Sequence, residues 1–331
     1  MKKIILVKML ALVTCMICSI SAAAQEAYAC SSEDNKTLTF YYDNQRASRV
    51  GTTYDLNEGY NLPLWVWSFD ISPFTQVEFD PSFANARPTS TGGWFMGMGN
   101  LETISGLNYL NTSEVTIMDS MFAYCSGLTS LNVSSFNTAK VTSMSSMFED
   151  CYGLTSINLS GFNTAKVTNM LFMFSGCSGL TSLDLSGFNT AKVTTMEKMF
   201  YDCSNLNTIY VSDLWSTAAV TKSNLMFKNC PSLVGGMGTI YDSNHVDGAY
   251  AHIDGGPGNP GYFTEKPSFT RGDVNGDGKI NITDVSALIN YLLNQNPTGV
   301  NLQGADCTLN GIINITDVTF LINYLLSNEW P

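Results

Sequence analysis

The sequence predicts a repeat solenoid whose units of about 26 residues each pair a short β-strand with a short helical return, followed by a small all-α module. Three observations carry this prediction. Met-Phe pairs begin at positions 121, 147, 173, 199 and 226, each with a cysteine four residues on, at intervals of 26, 26, 26 and 27. Every unit repeats one apolar and polar alternation. Two related loops near the C-terminus each run directly into an apolar segment of helical period.

The strand is read from Leu131 and Val133, which alternate with Ser130, Asn132 and Ser134 as a half-buried strand does. It returns as Ile157/Leu159, Leu183/Leu185 and Ile209/Val211. Met144, Met147, Phe148 and Cys151 follow at spacings of three, one and three, which predicts the short helical or 3₁₀ return. One such unit cannot bury its own apolar face, so stability must come from stacking on neighbours.

The signature Met-Phe-x-x-Cys-x-x-Leu-Thr-Ser-Leu-x-Leu-Ser-x-Phe-Asn-Thr-x-Lys-Val-Thr-x-Met, nearly verbatim from 121 to 200, resembles the BspA-like leucine-rich-repeat surface proteins of anaerobic bacteria. The flanks share the resemblance, which spans roughly 37–265: Leu38-Thr-Phe-Tyr-Tyr-Asp and Phe79-Asp-Pro-Ser-Phe before the array, His252-Ile-Asp-Gly-Gly after it. It implies a leucine-rich-repeat-like solenoid and an adhesive role. The chain departs from ordinary leucine-rich repeats in carrying Phe136, Phe162 and Phe188 where those place Asn, so the turn is expected to pack by aromatic stacking.

The C-terminal loops are Asp273 to Asp284 and Asp306 to Asp317. In the first, Asp273, Asn275, Asp277, Asn281 and Asp284 bring side-chain oxygens to positions one, three, five, nine and twelve, and Lys279 offers a backbone carbonyl. This is the donor pattern of a hard cation, and Gly278 permits the sharp turn, so the loop reads as a calcium site. The second copy offers Asp306, Thr308, Asn310, Ile312, Asn314 and Asp317, two carboxylates in place of three, and is expected to bind Ca²⁺ more weakly.

Val285 to Leu293 and Val318 to Leu326 then predict one helix after each loop, with no EF-hand helix before the first. The pair, about 268–331, resembles a type I dockerin, the module that binds cohesin domains in cellulosome-like assemblies. The resemblance implies a cohesin-like protein partner, recognised through the residues before each final aspartate, here Ile282 and Thr283 in one copy and Ile315 and Thr316 in the other. Their repetition implies that either copy could face the receptor.

Lys2 and Lys3 precede an apolar stretch from Ile4 to Ile20, and Ala22-Ala-Ala24 offers a cleavage site, so a signal peptide and export to the cell surface are expected. Lipidation at Cys30 is an alternative with a poor flanking match. No later apolar run is long enough to span a membrane. The formal charge of −12 becomes −15 without Lys2, Lys3 and Lys8, so nucleic acid is not an expected partner. The division expected is a signal peptide at 1–24, an N-terminal cap region at 25–100, the solenoid with its C-terminal cap at 101–265, and the dockerin at 266–331.

The repeat cysteines read as buried thiols, since equivalent positions in adjacent coils, about 4.8 Å apart, exceed a comfortable Cβ separation for a disulfide. His245 and His252 have no nucleophile arrangement beside them and read as structural. Arg271-Gly272-Asp273 spells an adhesion tripeptide, but Asp273 is the first calcium position, so coincidence is the reading. Trp65, Trp67, Trp94 and Phe95 read as a cap and, alternatively, as interface anchors; the polar columns Ser130/Asn132/Ser134 and their repeats read as a binding face or a solvated one. The functional expectation is a non-catalytic adhesin whose solenoid binds a host protein or glycan and whose dockerin docks it. The alternative is an accessory carbohydrate-binding component of a polysaccharide-degrading complex.

Overall fold

The computed structural model describes residues 24–66, 73–266, 270–308, 310 and 312–330; the expected signal peptide up to residue 23, and Trp67, lie outside them. The chain forms two compact units, Met1–Glu265 and Lys266–Pro331. No helix among the described residues is long and apolar enough to cross a membrane.

The first unit opens with β1 (Glu26–Ser31), β2 (Thr37–Asp43), β3 (Thr53–Asp55), β4 (Gln76–Phe79) and β5 (Thr103–Ser105) in one sheet of order β3-β1-β2-β4-β5. β1 is antiparallel to β2 and β3, whereas β2, β4 and β5 are parallel. The antiparallel strands cover an edge that the parallel strands would otherwise leave open. Gln76 pairs with Thr103, so the parallel register already runs through the region assigned to the cap. Phe40 lies at the centre of this end, stacked on Phe79 at 4.6 Å and Trp94 at 4.9 Å between ring centroids. Trp65 Nε1 donates to the Trp94 carbonyl at 2.7 Å, and Trp65, Trp94 and Phe95 are all buried, so these aromatics build the cap and are not available as anchors.

Beyond it the units stack in parallel. β6 (Ser130–Asn132), β7 (Ser156–Asn158), β8 (Ser182–Asp184) and β9 (Thr208–Val211) coincide with the expected strands, pairing Leu131 with Ile157 and Leu183 with Ile209. A second line of parallel bridges links Ser90, Ile117, Ser143, Asn169, Thr195 and Lys222. Between these lines the rings of Phe122, Phe148, Phe174, Phe200 and Phe227 stack at 5.5 to 6.0 Å with interplanar angles of 3° to 12°. The expected stacking at the turn is present between Phe162 and Phe188, at 6.2 Å.

The helical return is corrected by the backbone. From 143 to 151 the chain forms turns, with Ser146 and Asp150 at positive φ of 56° and 54°. Met144, Ser146, Phe148 and Asp150 donate their N–H groups to Asn169, Leu171, Met173 and Ser175 of the following coil, at 2.7 to 3.0 Å. Bonds sent to the next coil cannot also close i→i−4 helical rings, so the apolar spacing of three and one arises from alternating turns in place of a helix.

Two side-chain ladders join the same coils. Buried Thr112, Thr138 and Thr164 donate to the carbonyls of Asn137, Asn163 and Asn189, at 3.0 to 3.1 Å. Cys151, Cys177, Cys203 and Cys230 donate to the carbonyls of Phe122, Phe148, Phe174 and Phe200, at 2.9 to 3.1 Å. The seven described cysteines are all buried free thiols. Burial pushes Cys151 and Cys230 up to about 12 and Cys177 and Cys203 well above the ordinary thiol range.

β10 (Phe263–Glu265) pairs in parallel with β9 and closes the stack. Asp254, 4% exposed, holds this cap by accepting from the N–H groups of Met237, Thr239 and Gly256 at 2.9 Å and from the Thr239 hydroxyl at 2.7 Å. The second unit contains α1 (Ile282–Asn294), the single turn α2 (Leu302–Ala305) and α3 (Ile315–Ser327). Its core pairs Val274 with Cys307, Val285 with Val318 and Leu288 with Leu321, each two equivalent positions of the repeated motif.

Candidate calcium loops and docking face

Each loop ends in a capped helix. Asn281 takes extended backbone at the N-cap of α1 and its Oδ1 accepts from Thr283 N–H, while Asp284 accepts from Asn281 N–H; Asn314 and Asp317 repeat this capping box on α3. The ninth and twelfth loop positions therefore also start the helices. In α1, Val285 and Leu288 face inward, which fixes the direction of the whole loop.

In the first loop, Asp273 Oδ1 accepts from Asp277 N–H at 3.0 Å and Oδ2 from Gly278 N–H at 2.9 Å. Asp284 Oδ1 accepts from Val274 and Asn275 N–H groups at 2.8 and 3.1 Å. Asn275 Oδ1 accepts from Asp277 N–H, and Asp277 Oδ1 from Lys279 N–H. Gly278 sits at φ 80°, in the left-handed region where a side chain is strained. Positions one, three, five and twelve are thus brought to one loop, as the spacing predicts.

Asp273 is 5% exposed and Asp284 fully buried, and neither forms an ion pair with Lys or Arg among the described residues. A buried carboxylate held by N–H groups alone still has unused lone pairs and an uncompensated charge. A hard divalent cation supplies the compensation, and the oxygen donors here suit calcium. No three His, Cys, Asp or Glu side chains among the described residues form a metal-holding group, so carboxylates would share the task with Asn275 and the Lys279 carbonyl.

The second loop is engaged differently. Thr308 Oγ1 donates to Asp317 Oδ1 at 2.9 Å and to Asp306 Oδ1 at 3.3 Å, so one hydroxyl bridges the two carboxylates. Asn314 Nδ2 donates to the Ile312 carbonyl, and Asn310 Oδ1 accepts from Ile312 N–H. Cation entry there must break the hydroxyl bridge.

Outside the loops, Ile282 and Ile315 are 68% and 70% exposed. Thr283 is tied inward, its hydroxyl donating to Asn281 Oδ1 and accepting from Asn275 Nδ2. Ile289, Leu293, Ile322 and Leu326, part of the apolar spacing that predicts the two helices, are all exposed, Leu293 and Leu326 at 75% and 81%. They lie seven and eleven residues beyond Ile282 and Ile315, the spacing of a single helical face. That spacing was the available signal: two apolar stripes on each helix, of which only one can be buried.

Arg271 donates to the Cys307 carbonyl through Nε at 2.7 Å and lies over the Trp330 ring at 4.0 Å. Both charged members of the Arg-Gly-Asp tripeptide are therefore committed within the unit. His245 bonds Asp242 and stacks on Tyr250, and His252 Nδ1 meets the Ile253 carbonyl.

Residues 89–208 and 155–251 match the family described as Mycoplasma protein of unknown function, DUF285. Residues 271–326 match the Dockerin type I domain. No curated protein and no solved structure matches the chain. The chain thus joins a repeat region similar to the first family to a C-terminal module similar to the type I dockerins, which are calcium-binding docking domains.

Proposed function

We propose that the chain is an exported, non-catalytic BspA-like surface protein. Its stacked units form a leucine-rich-repeat-like solenoid that presents a binding surface, and its C-terminal module docks it to a cohesin-like receptor when calcium is bound. The observation that carries the docking half is the pair of buried carboxylates Asp273 and Asp284, which the loop before α1 brings together with no Lys or Arg partner among the described residues. The helix that they orient exposes Ile282, Ile289 and Leu293 on one face, and α3 repeats this face with Ile315, Ile322 and Leu326. Calcium in the loops would fix each helix start, and the apolar stripe is what a receptor would cover. Because the two stripes occupy equivalent positions, either can meet the receptor.

The full mature chain is tested against a panel of cohesin domains by surface plasmon resonance, with calcium and with EDTA. Calcium-dependent binding is expected, with at least tenfold loss only when Leu293→Asp and Leu326→Asp are combined. Binding to no cohesin, or binding unaffected by EDTA, overturns the docking reading.

A second reading makes the same chain an accessory carbohydrate-binding subunit of a polysaccharide-degrading complex. The dockerin similarity favours it, since docking modules of this kind operate in cellulosome-like contexts. Release of soluble sugar from polysaccharide by the mature chain alone would overturn the non-catalytic assignment; retention on polysaccharide without release would favour this second reading.

A further inference from the structure

The sequence motif Asn-Thr-Ala-Lys recurs at 137, 163 and 189, and the coils hold it in register from both sides. Asn163 N–H donates to Thr138 Oγ1 at 2.7 Å, while Thr168 and Thr194 N–H groups donate to the carbonyls of Thr142 and Thr168 at 2.9 Å. Between these rungs lie Lys140, Lys166 and Lys192, with Glu114 and Ala219 at the equivalent positions of the coils on either side. Glu114 and the three lysines are exposed, and Ala219 is half-buried. Lys140 is neutralised by Glu114, Nζ to Oε2 at 2.6 Å, whereas Lys166 and Lys192 form no ion pair among the described residues.

Adjacent parallel strands lie about 4.8 Å apart. Lys166 and Lys192, one coil apart, therefore rise from backbone separated by less than the Debye length of about 8 Å at physiological ionic strength. Exposed Thr142, Thr168 and Thr194, two residues further on, add a column of hydroxyls with no bulky side chain among them. Two successive coils thus each present one lysine, Lys166 and Lys192, beside this column of hydroxyls.

We propose that this column binds a linear polysaccharide bearing one carboxylate per sugar, laid along the stacking direction with Lys166 and Lys192 on successive carboxylates. A chain of charged pyranoses advances by one ring and its linkage per charge, a step comparable to the rise of one coil. Duplex DNA, with one phosphate per strand for every 3.4 Å or so of helix axis, is out of step with it. The proposal rests on the reading that the stacked half is the ligand-binding half, and it gives that half a ligand class.

The test uses the full mature chain in calcium-free buffer with polygalacturonate oligosaccharides as the probe and their methyl-esterified, uncharged form as the control. Binding to the charged probe is expected, with about tenfold loss and a shallower salt dependence for the Lys166→Gln/Lys192→Gln double variant. Glu114→Gln, which releases Lys140, is expected to tighten it. All three positions are exposed, and an unchanged melting temperature confirms folding. Equal affinity for the uncharged probe, an unaffected double variant, or tighter binding to single-stranded DNA overturns the proposal. Cohesin binding of the same chain in calcium is measured separately, so loss of one activity leaves the other legible.

Discussion

Thr138 and Asn163 exchange two hydrogen bonds through one hydroxyl: Oγ1 donates to the Asn163 carbonyl at 3.0 Å and accepts from the Asn163 N–H at 2.7 Å. A buried side chain thus satisfies both backbone groups of a residue in the next coil. Thr138→Val preserves the shape and removes both bonds. With two polar groups left unpaired at about 1 to 3 kcal/mol each, a loss of at least about 2 kcal/mol is expected in urea denaturation. Thr138→Ser is expected to retain most of the stability.

The thiol ladder carries a redox prediction. Cys177 is fully buried, donates to the Phe148 carbonyl at 3.1 Å, and has its ionisation pushed well above the ordinary thiol range by burial. Because the thiolate is the reactive form, the native repeat should resist alkylation, with labelling that follows unfolding. Mass spectrometry after iodoacetamide treatment, with and without urea, checks this; rapid labelling of Cys177 in the native state contradicts it.

Acid should loosen the C-terminal cap of the repeat unit. Hydrogen bonds from Thr239, Gly256 and Met237 outweigh the opposing effect of burial and hold Asp254 at about 2, below its ordinary value of 3.8. A carboxylate whose folded value is depressed contributes stability above its unfolded value and loses it as pH falls through the folded one. The contribution is therefore expected to be complete above about pH 4 and to disappear toward pH 2. Asp254→Asn should lower the melting temperature at pH 7 and flatten its decline over that window.

The two loops should separate on calcium titration. Calorimetry on the full chain is expected to show two sites of unequal affinity. Asp273→Ala should abolish the tighter site and Asp306→Ala the weaker. Thr308→Asn, which replaces the bridging hydroxyl with the residue that the first loop uses, should bring the second affinity toward the first. Two equal sites in the unchanged protein contradict this assignment.

The strand positions were legible in the sequence because Leu131, Ile157, Leu183 and Ile209 sit in a strict period-two pattern, and a period of two is itself a strand geometry. The gathering of Asp273, Asn275, Asp277 and Asp284 in one loop was legible because these oxygen-bearing residues stand at fixed offsets directly before a helix. The return segment was misread for a physical reason: spacings of three and one arise equally from a helix and from alternating turns, and only the destination of the Ser146 and Asp150 N–H groups separates them. The thiol ladder was not legible at all. Periodicity shows that Cys151 is buried, whereas its hydrogen bond to Phe122 depends on how one coil sits over the previous one. For Leu293 and Leu326, apolar character could not tell a core position from a face left for a partner.

The stacked phenylalanines from Phe122 to Phe227 have one further consequence. Inside the array, Phe148 and Phe174 each stack on the equivalent ring of the coil before and of the coil after, and the bridges from Ser143 to Asn169 and from Asn169 to Thr195 repeat one parallel form. A whole unit can therefore be spliced in or cut out without either cap meeting an unfamiliar neighbour, lengthening or shortening the molecule by about 4.8 Å each time. Copy number is thus a dial for the length of the array, set by gene duplication and independent of the chemistry at either end.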